Sequence, residues 1–294
     1  IIDVRLEIDT AKLFTYLHAN GFPAGEPLIK QFNKRQSNPT YFLQANDGSK
    51  WVLRKKPPGE LLRGAHQVNR EYRVMKALEN TPVPVPKMLL YCEDESIIGT
   101  EFYVMEFVEG RVLEDLTLPD CSPAERRQIY DSLNDVLGDL HDVDFKSVGL
   151  EGFGKETGYI QRQLKTWGNQ YKAADPIVRD HKDHGPWMDQ LLEWLLANVD
   201  DMMNSSSSTG IAHGDYRLGN VIVHPTEPKV VAVLDWELST IGEPLADLAY
   251  CCMMYYGAGS LAMSESPPEG MPSEDEFVAR YLKRRGMAPM DPQL

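Results

Sequence analysis

Several things are missing from this chain of 294 residues. No apolar run approaches the roughly 20 residues that a membrane-crossing helix needs, and no leader with a basic start and an apolar middle opens it. The four cysteines, Cys92, Cys121, Cys251 and Cys252, form no C-x-x-C, and two are adjacent. A disulfide framework or a zinc knuckle is therefore not expected, and a reducing compartment is: cytoplasm in a bacterium, mitochondrion or peroxisome in a eukaryote. No internal repeat is present, which removes solenoids and propellers. The chain opens Ile1-Ile2-Asp3 without Met and stops at Pro292-Gln293-Leu294, so a piece of a longer protein is expected.

Charge is short on the positive side, with 30 Lys+Arg against 44 Asp+Glu and a net charge of -14. The deficit is uneven: residues 1–100 carry net +3 and the remainder net -17. Nucleic-acid binding as a global function is disfavoured. Hydrophobic residues at 42% and charged residues at 25% are ordinary for a globular chain with a substantial core.

The first hundred residues read as short strands and one helix. Pro27–Phe32, Thr40–Gln44 and Lys50–Arg54 are strand candidates, the last two joined by the turn Asn46-Asp47-Gly48-Ser49. From His66 to Leu78, Val68, Tyr72, Met75 and Leu78 recur at helical spacing, and Pro82, Pro84 and Pro86 end the helix. Lys87–Tyr91 and Glu101–Phe107 complete five strands. The rest is mainly helical. Ser122-Pro123-Ala124-Glu125 signals a helix start that runs to His141. Helices are expected over Tyr159–Lys172, Pro186–Met203, Pro244–Tyr256 and Ser273–Arg285. Two strands, Asn220–His224 and Lys229–Leu234, interrupt them, Asn204–Gly210 is a turn, and Ser264–Pro272 is a loop.

Most of the functional signal sits in His213-Gly214-Asp215-Tyr216-Arg217-Leu218-Gly219-Asn220, followed by Val233-Leu234-Asp235-Trp236-Glu237. A carboxylate is followed five residues on by a carboxamide, and fifteen further by a second carboxylate closing a strand. Phosphoryl transfer needs positioning and charge neutralisation more than covalent help. Asp215 can orient a substrate hydroxyl as base. Asn220 and Asp235 are hard oxygen donors of the kind Mg²⁺ prefers. Taken singly, the three could be a turn residue, a cap and an Asx-turn. Together, with a strand between Asn220 and Asp235, they fit a catalytic set.

This spacing resembles the H-R-D-x-x-x-x-N and following Asp of protein kinases. With Gly as second residue and Trp-Glu after the later Asp, it resembles the aminoglycoside phosphotransferase and choline kinase family, over about residues 25–285. The resemblance implies an α+β, bilobal, protein-kinase-like fold that uses ATP and Mg²⁺. The N-lobe, residues 1–107, would hold a five-stranded antiparallel sheet plus one helix and bind nucleotide. The mostly helical C-lobe, residues 108–294, would bind the acceptor. Arg54 stands at the usual strand lysine, in contact with the α/β-phosphates, and Lys56 is its substitute if the register differs by two, while Lys55 faces away. Glu71 would pair with that cation from the N-lobe helix. No G-x-G-x-x-G is present. Instead Ser37, Asn38 and Thr40 resemble the family's phosphate loop, and the backbone of Glu106 and Val108 would meet adenine. His213 and Asp247 resemble residues that brace the catalytic loop.

Four strings narrow the resemblance: Val52–Gly59, Ile98–Glu106, Ser122–Arg126 and Leu234–Gly242. They are similar to the kinase-like domain joined to acyl-CoA dehydrogenase domains in acyl-CoA dehydrogenase family members 10 and 11. The implied acceptor is the hydroxyl of a hydroxy-acid or its CoA thioester, with a dehydrogenase-like domain, fused or separate, as partner. Residues 146–186 carry net +2 inside an acidic lobe, with Tyr159, Trp167 and Tyr171, which suits an anionic CoA ester better than a polycationic sugar. For Trp167 the alternative is simple core packing. Competing readings are a nucleotide-binding pseudokinase, an aminoglycoside-type antibiotic kinase, and a metal hydrolase using His213, Asp215 and His224.

Overall fold

In the computed structural model the described residues are 2, 4, 8–32, 38–57, 67–178, 187–199, 209–256 and 267–289. Five short strands form one antiparallel sheet in the order β1-β2-β3-β5-β4: β1 (Leu28–Gln31), β2 (Thr40–Gln44), β3 (Lys50–Lys55), β4 (Met88–Cys92) and β5 (Phe102–Glu106). The Asp47-Gly48 turn joins β2 to β3, with Thr40 opposite Arg54 and Gln44 opposite Lys50. Alternation along β5 sends Tyr103 and Met105 to one face and Phe102 and Val104 to the other.

Both faces of the sheet are apolar because each has a helix. On one side lies α2 (Val68–Leu78), burying Val74, Met75 and Leu78. On the other lies α1 (Thr10–Ala19), burying Leu13 and Leu17 against Leu43, Leu53 and Val104. The sequence reading names only α2 here, so α1 is an addition to it. Its start is fixed by Asp9, whose carboxylate accepts from Lys12 N at 3.1 Å.

The cluster beneath α2 continues without a break into the second half of the chain, through α3 (Pro123–Asp142) to α7 (Glu274–Arg284). Ser122 caps α3 as its sequence predicts, and Ser273 with Glu276 forms a capping box on α7. The two helices are tied by Arg280 on Asp135 at 2.7 Å and Arg285 on Asp142 at 2.9 Å. α4 (Tyr159–Val178) runs six residues past its expected end, and α5 spans Trp187–Ala197, the expected end at Met203 lying outside the described residues. Among the described residues no helix is long and apolar enough to cross a membrane.

Two small two-stranded sheets carry the motif. β6 (Gly210–Ala212) pairs with β9 (Thr240–Gly242), and between them in sequence β7 (Val221–Val223) pairs with β8 (Val230–Val233) as a hairpin. The loops 213–220 and 234–239 therefore emerge side by side. The Leu234 N–H donates to Asn220 O at 2.8 Å, locking one to the other. β6 and β9 have no counterpart in the sequence reading. α6 (Leu245–Cys252) follows directly and packs behind the first loop.

Candidate active site

The loop after β6 is held from behind. Asp247 of α6 is 1% exposed, and its carboxylate accepts from His213 N at 2.6 Å, Gly214 N at 2.8 Å and His141 Nε2 at 3.3 Å. Burial alone would raise its pKa, but the hydrogen bonds and the two histidines hold it below the ordinary carboxylate value. Gly214 turns the chain at φ +85°, and a Cβ there would lie 2.8 Å from Leu238 O. His213 is fully buried, which depresses its pKa and leaves it neutral. Its Nδ1 accepts from Asp215 N at 3.2 Å while Nε2 faces Leu234 O at 3.0 Å. Both ring nitrogens are engaged, so the metal-hydrolase reading through His213 does not hold. His224 sits at a strand end, accepting from Glu227 N at 3.1 Å, and among the described residues no group of three His, Cys, Asp or Glu could hold a metal.

The sequence-predicted trio is brought together. Asn220 Nδ2 donates to Asp215 Oδ2 at 2.6 Å and to Asp215 O at 2.8 Å. Arg217 Nε lies 3.4 Å from Asp215 Oδ1. Asp235 follows β8 in the left-handed region at φ +65° and ψ +57°, a conformation that a non-glycine residue adopts at a cost of about 1–2 kcal/mol. That turn points it at β3, where Arg54 Nη2 meets its Oδ1 at 2.7 Å.

Arg54 is 5% exposed and lies between carboxylates. Its Nε stands 3.0 Å from Glu71 Oε2, and its Nη2 is 3.8 Å from Glu237. Burial works against its charge, and Glu71, Tyr103 and Asp235 more than restore it. Glu71 is fully buried and also accepts from Asn38 Nδ2 at 2.7 Å and Tyr103 OH at 3.0 Å. Its burial pushes the carboxyl up to about 7 against the pull of Arg54. The Arg54 guanidinium is thus committed on both sides, with Nε in the buried pair with Glu71 and Nη2 on Asp235.

The remaining predicted residues are placed as follows. Lys56 pairs with Glu101, which also takes the Tyr91 hydroxyl, and the cation facing Asp235 is Arg54. β3 ends at Lys55, and the strand alternation does not extend to Lys56. Asn38 and Thr40 are buried: Asn38 donates to Glu71, and the Thr40 hydroxyl donates to Asn38 O at 3.0 Å. Ser37 lies outside the described residues, as do the rest of the 33–37 loop, Pro58-Gly59, His66, Pro186, residues 200–208 and residues 264–266. Glu106 N–H is committed to Lys87 O at 2.9 Å, whereas no hydrogen bond takes the Val108 N–H among the described residues.

Trp167 stands 55% exposed on α4, not in the core. With Leu164, Tyr171, Met188, Leu191 and Leu195 it lines an apolar groove of about 240 Å³ between α4 and α5. Sequence reasoning missed Tyr250, on α6 beside Asp215. Its phenol is raised to about 12, first by burial and then by that carboxylate. Its place three residues after Asp247 on a helix was the available signal.

The chain matches the phosphotransferase enzyme family over residues 28–292, and it belongs to that family. It is 46% identical to human acyl-CoA dehydrogenase family member 11 over 96% of its own length and 36% of that protein. To mouse acyl-CoA dehydrogenase family member 10 it is 43% identical, over 90% of this chain and 24% of that one. The chain thus spans about a third or less of the length of these relatives. A solved structure from Ralstonia eutropha JMP134, provisionally named an aminoglycoside phosphotransferase, is 42% identical with a TM-score of 0.81, covering 97% of this chain and 82% of that one. The aminoglycoside phosphotransferase APH(2")-IIa, solved with streptomycin and ATP, shares the fold at 15% identity and a TM-score of 0.59, over 96% of this chain and 83% of that one.

Proposed function

We propose that the chain is an ATP- and Mg²⁺-dependent kinase that transfers the γ-phosphate to a hydroxyl of a small molecule, a hydroxy-acid or hydroxyacyl-CoA. The observation that carries this reading is the pairing of Asn220 with Asp215 at 2.6 Å while Arg54 holds Asp235 at 2.7 Å. The two pairs sit on neighbouring loops that the Leu234 N–H to Asn220 O bond locks together, which sets a candidate base, two hard oxygen donors and a buried cation beside one another.

The donor set fits the metal. One carboxylate and one carboxamide are too few for a closed protein site, and Mg²⁺ is usually completed by substrate phosphates and water. Asp235 and Asn220 would hold it, and when bound it neutralises charge on the phosphate oxygens. The Arg54 guanidinium would supply positive charge beside the phosphates, and the Val108 N–H fits an adenine edge. In this reading Asp215 accepts a hydrogen bond from the acceptor hydroxyl and aims its oxygen at phosphorus. Arg54 balances the phosphate charge, and Glu71 keeps Arg54 in place. Domain limits at residue 107 and an intracellular, reducing location belong to the same proposal, the latter in keeping with four free cysteines.

Two things support the acyl acceptor over an aminoglycoside: identity above 40% to proteins named acyl-CoA dehydrogenases, and the net +2 aromatic insert at residues 146–186. A dehydrogenase domain, fused or separate, would be the partner. A second reading is a pseudokinase, favoured by the grip of Arg54 on Asp235, the metal-holding carboxylate in the first reading.

The test is ADP release from Mg-ATP with 3-, 4- and 5-hydroxyacyl-CoAs, free hydroxy-acids, choline and an aminoglycoside. Turnover on a hydroxyacyl acceptor that Asp215→Ala abolishes is expected. Turnover confined to choline or the aminoglycoside removes the acyl assignment. Nucleotide binding without turnover on any acceptor favours the pseudokinase.

A further inference from the structure

α6 is anchored to the 213–216 loop at both ends of a short span. Asp247 takes the N–H groups of His213 and Gly214, and the Cys251 thiol donates to Tyr216 O at 3.2 Å. Asp247, Tyr250 and Cys251 stand at i, i+3 and i+4, so they share one helix face. The loop residue between the two anchored points is Asp215. The residue of that face between the two anchors is Tyr250. It is 37% exposed, unlike Asp247 and Cys251, and its phenol lies within interaction range of the Asp215 carboxylate.

Asp215 needs such a neighbour. Asn220 fixes Oδ2, while Oδ1 has only Arg217, at 3.4 Å from a side chain that is itself 47% exposed. A carboxylate held at one oxygen can still swing the other, and misplacement on the scale of an ångström costs phosphoryl transfer heavily. We infer that Tyr250 is a positioning residue for Asp215, its O–H donating to the carboxylate and keeping one oxygen turned to the acceptor hydroxyl. Neutral up to about 12, the phenol remains a donor throughout the working pH range. The inference rests on the kinase reading above.

Tyr250→Phe removes the O–H and keeps the ring, so folding is preserved. Two measurements on the intact chain decide the matter. The first is equilibrium unfolding of wild type, Tyr250→Phe, Asp215→Ala and the double variant. The second is steady-state ADP release with the panel acceptor that wild type turns over fastest. Tyr250→Phe should lower stability when Asp215 is present and have no effect in the Asp215→Ala background, which leaves no acceptor for the phenol. It should also lower kcat about tenfold, the value of one hydrogen bond to a charged group, with KM for ATP unchanged. An equal stability cost in both backgrounds means there is no contact and overturns the proposal. A real coupling with unchanged kcat overturns it as well. If wild type turns over no acceptor, the kinase reading fails and takes this role with it, and the unfolding cycle, which needs no turnover, tells that failure from a missing contact.

Discussion

Asp247→Asn changes one atom type and tests how the catalytic loop is held. The carboxylate has two oxygens, one accepting from Gly214 N and the other from His213 N and His141. Asparagine offers one acceptor. Placed to keep His213 and His141, it turns its NH₂ toward the Gly214 N–H, donor against donor. One hydrogen bond to a charged group is lost, about 1.5–3 kcal/mol, and the two that remain lose their charge assistance. A total of about 3 kcal/mol follows, a large share of the 5–15 kcal/mol that holds a typical domain together. The pH dependence sharpens the test. The pKa of Asp247 is depressed in the folded chain, so its contribution is complete above the unfolded value of 3.8 and is lost as pH falls through the folded value. Urea unfolding at pH 7 should show the full deficit in the variant, and the gap to wild type should narrow below pH 3.8. A variant within about 0.5 kcal/mol of wild type at pH 7, the ordinary range of a neutral surface change, would refute this account. So would a gap that persists unchanged in acid.

Arg54→Met should raise KM for ATP at least tenfold and destabilise by about 3–5 kcal/mol, because Glu71 is left buried without its cation. Lys56→Met should leave KM for ATP unchanged and cost at most about 1 kcal/mol, as nucleotide titrations of both variants would show. Gly214→Ala combines a left-handed φ of +85° with a Cβ 2.8 Å from Leu238 O, so kcat should fall by more than an order of magnitude, read as ADP release well below the unfolding temperature. Glu71 has the opposite linkage sign from Asp247. Its folded pKa of about 7 lies above the ordinary 4.5, so its contribution is greatest below 4.5 and is lost as pH rises through about 7. Relative to Glu71→Gln, wild type should lose up to roughly 3 kcal/mol across that window, and a flat difference would refute the assignment.

Much of the architecture was written in local sequence. β2 has its expected limits because a turn and a buried apolar run fix both ends, and α3 starts where Ser122 and Pro123 say. What escaped was set by distant partners. β6 and β9 are three residues each, too short for any periodicity, and exist because Gly210 meets Gly242 across the fold. α1 buries only Leu13 and Leu17, a weak stripe that becomes decisive once the outer sheet face needs cover. The apolar residues of α5, among them Trp187 and Trp194, lie on the surface, which its composition did not signal.

The site divides along the same line. The pairing of Asp215 with Asn220 was legible from type and spacing, because the five-residue step brings the two side chains together. Arg54 was named first from its place on the strand, and it is the cation that meets Asp235. The partners of Asn38 and Thr40 were not legible, since burial turns one toward Glu71 and the other back onto its own turn. The left-handed Asp235 is the clearest case. Nothing in Leu234-Asp235-Trp236 demands φ +65°, but Trp236 is fully buried against His213, and Leu234 is bonded to both His213 and Asn220. With both neighbours fixed, the residue between them has to take the strain, and that strain aims its carboxylate at Arg54. The geometry that sets Asp215 beside Asn220 and Asp235 on Arg54 is thus imposed by buried residues outside that set, which is why substitutions at Asp247 should disable the proposed site as thoroughly as substitutions within it.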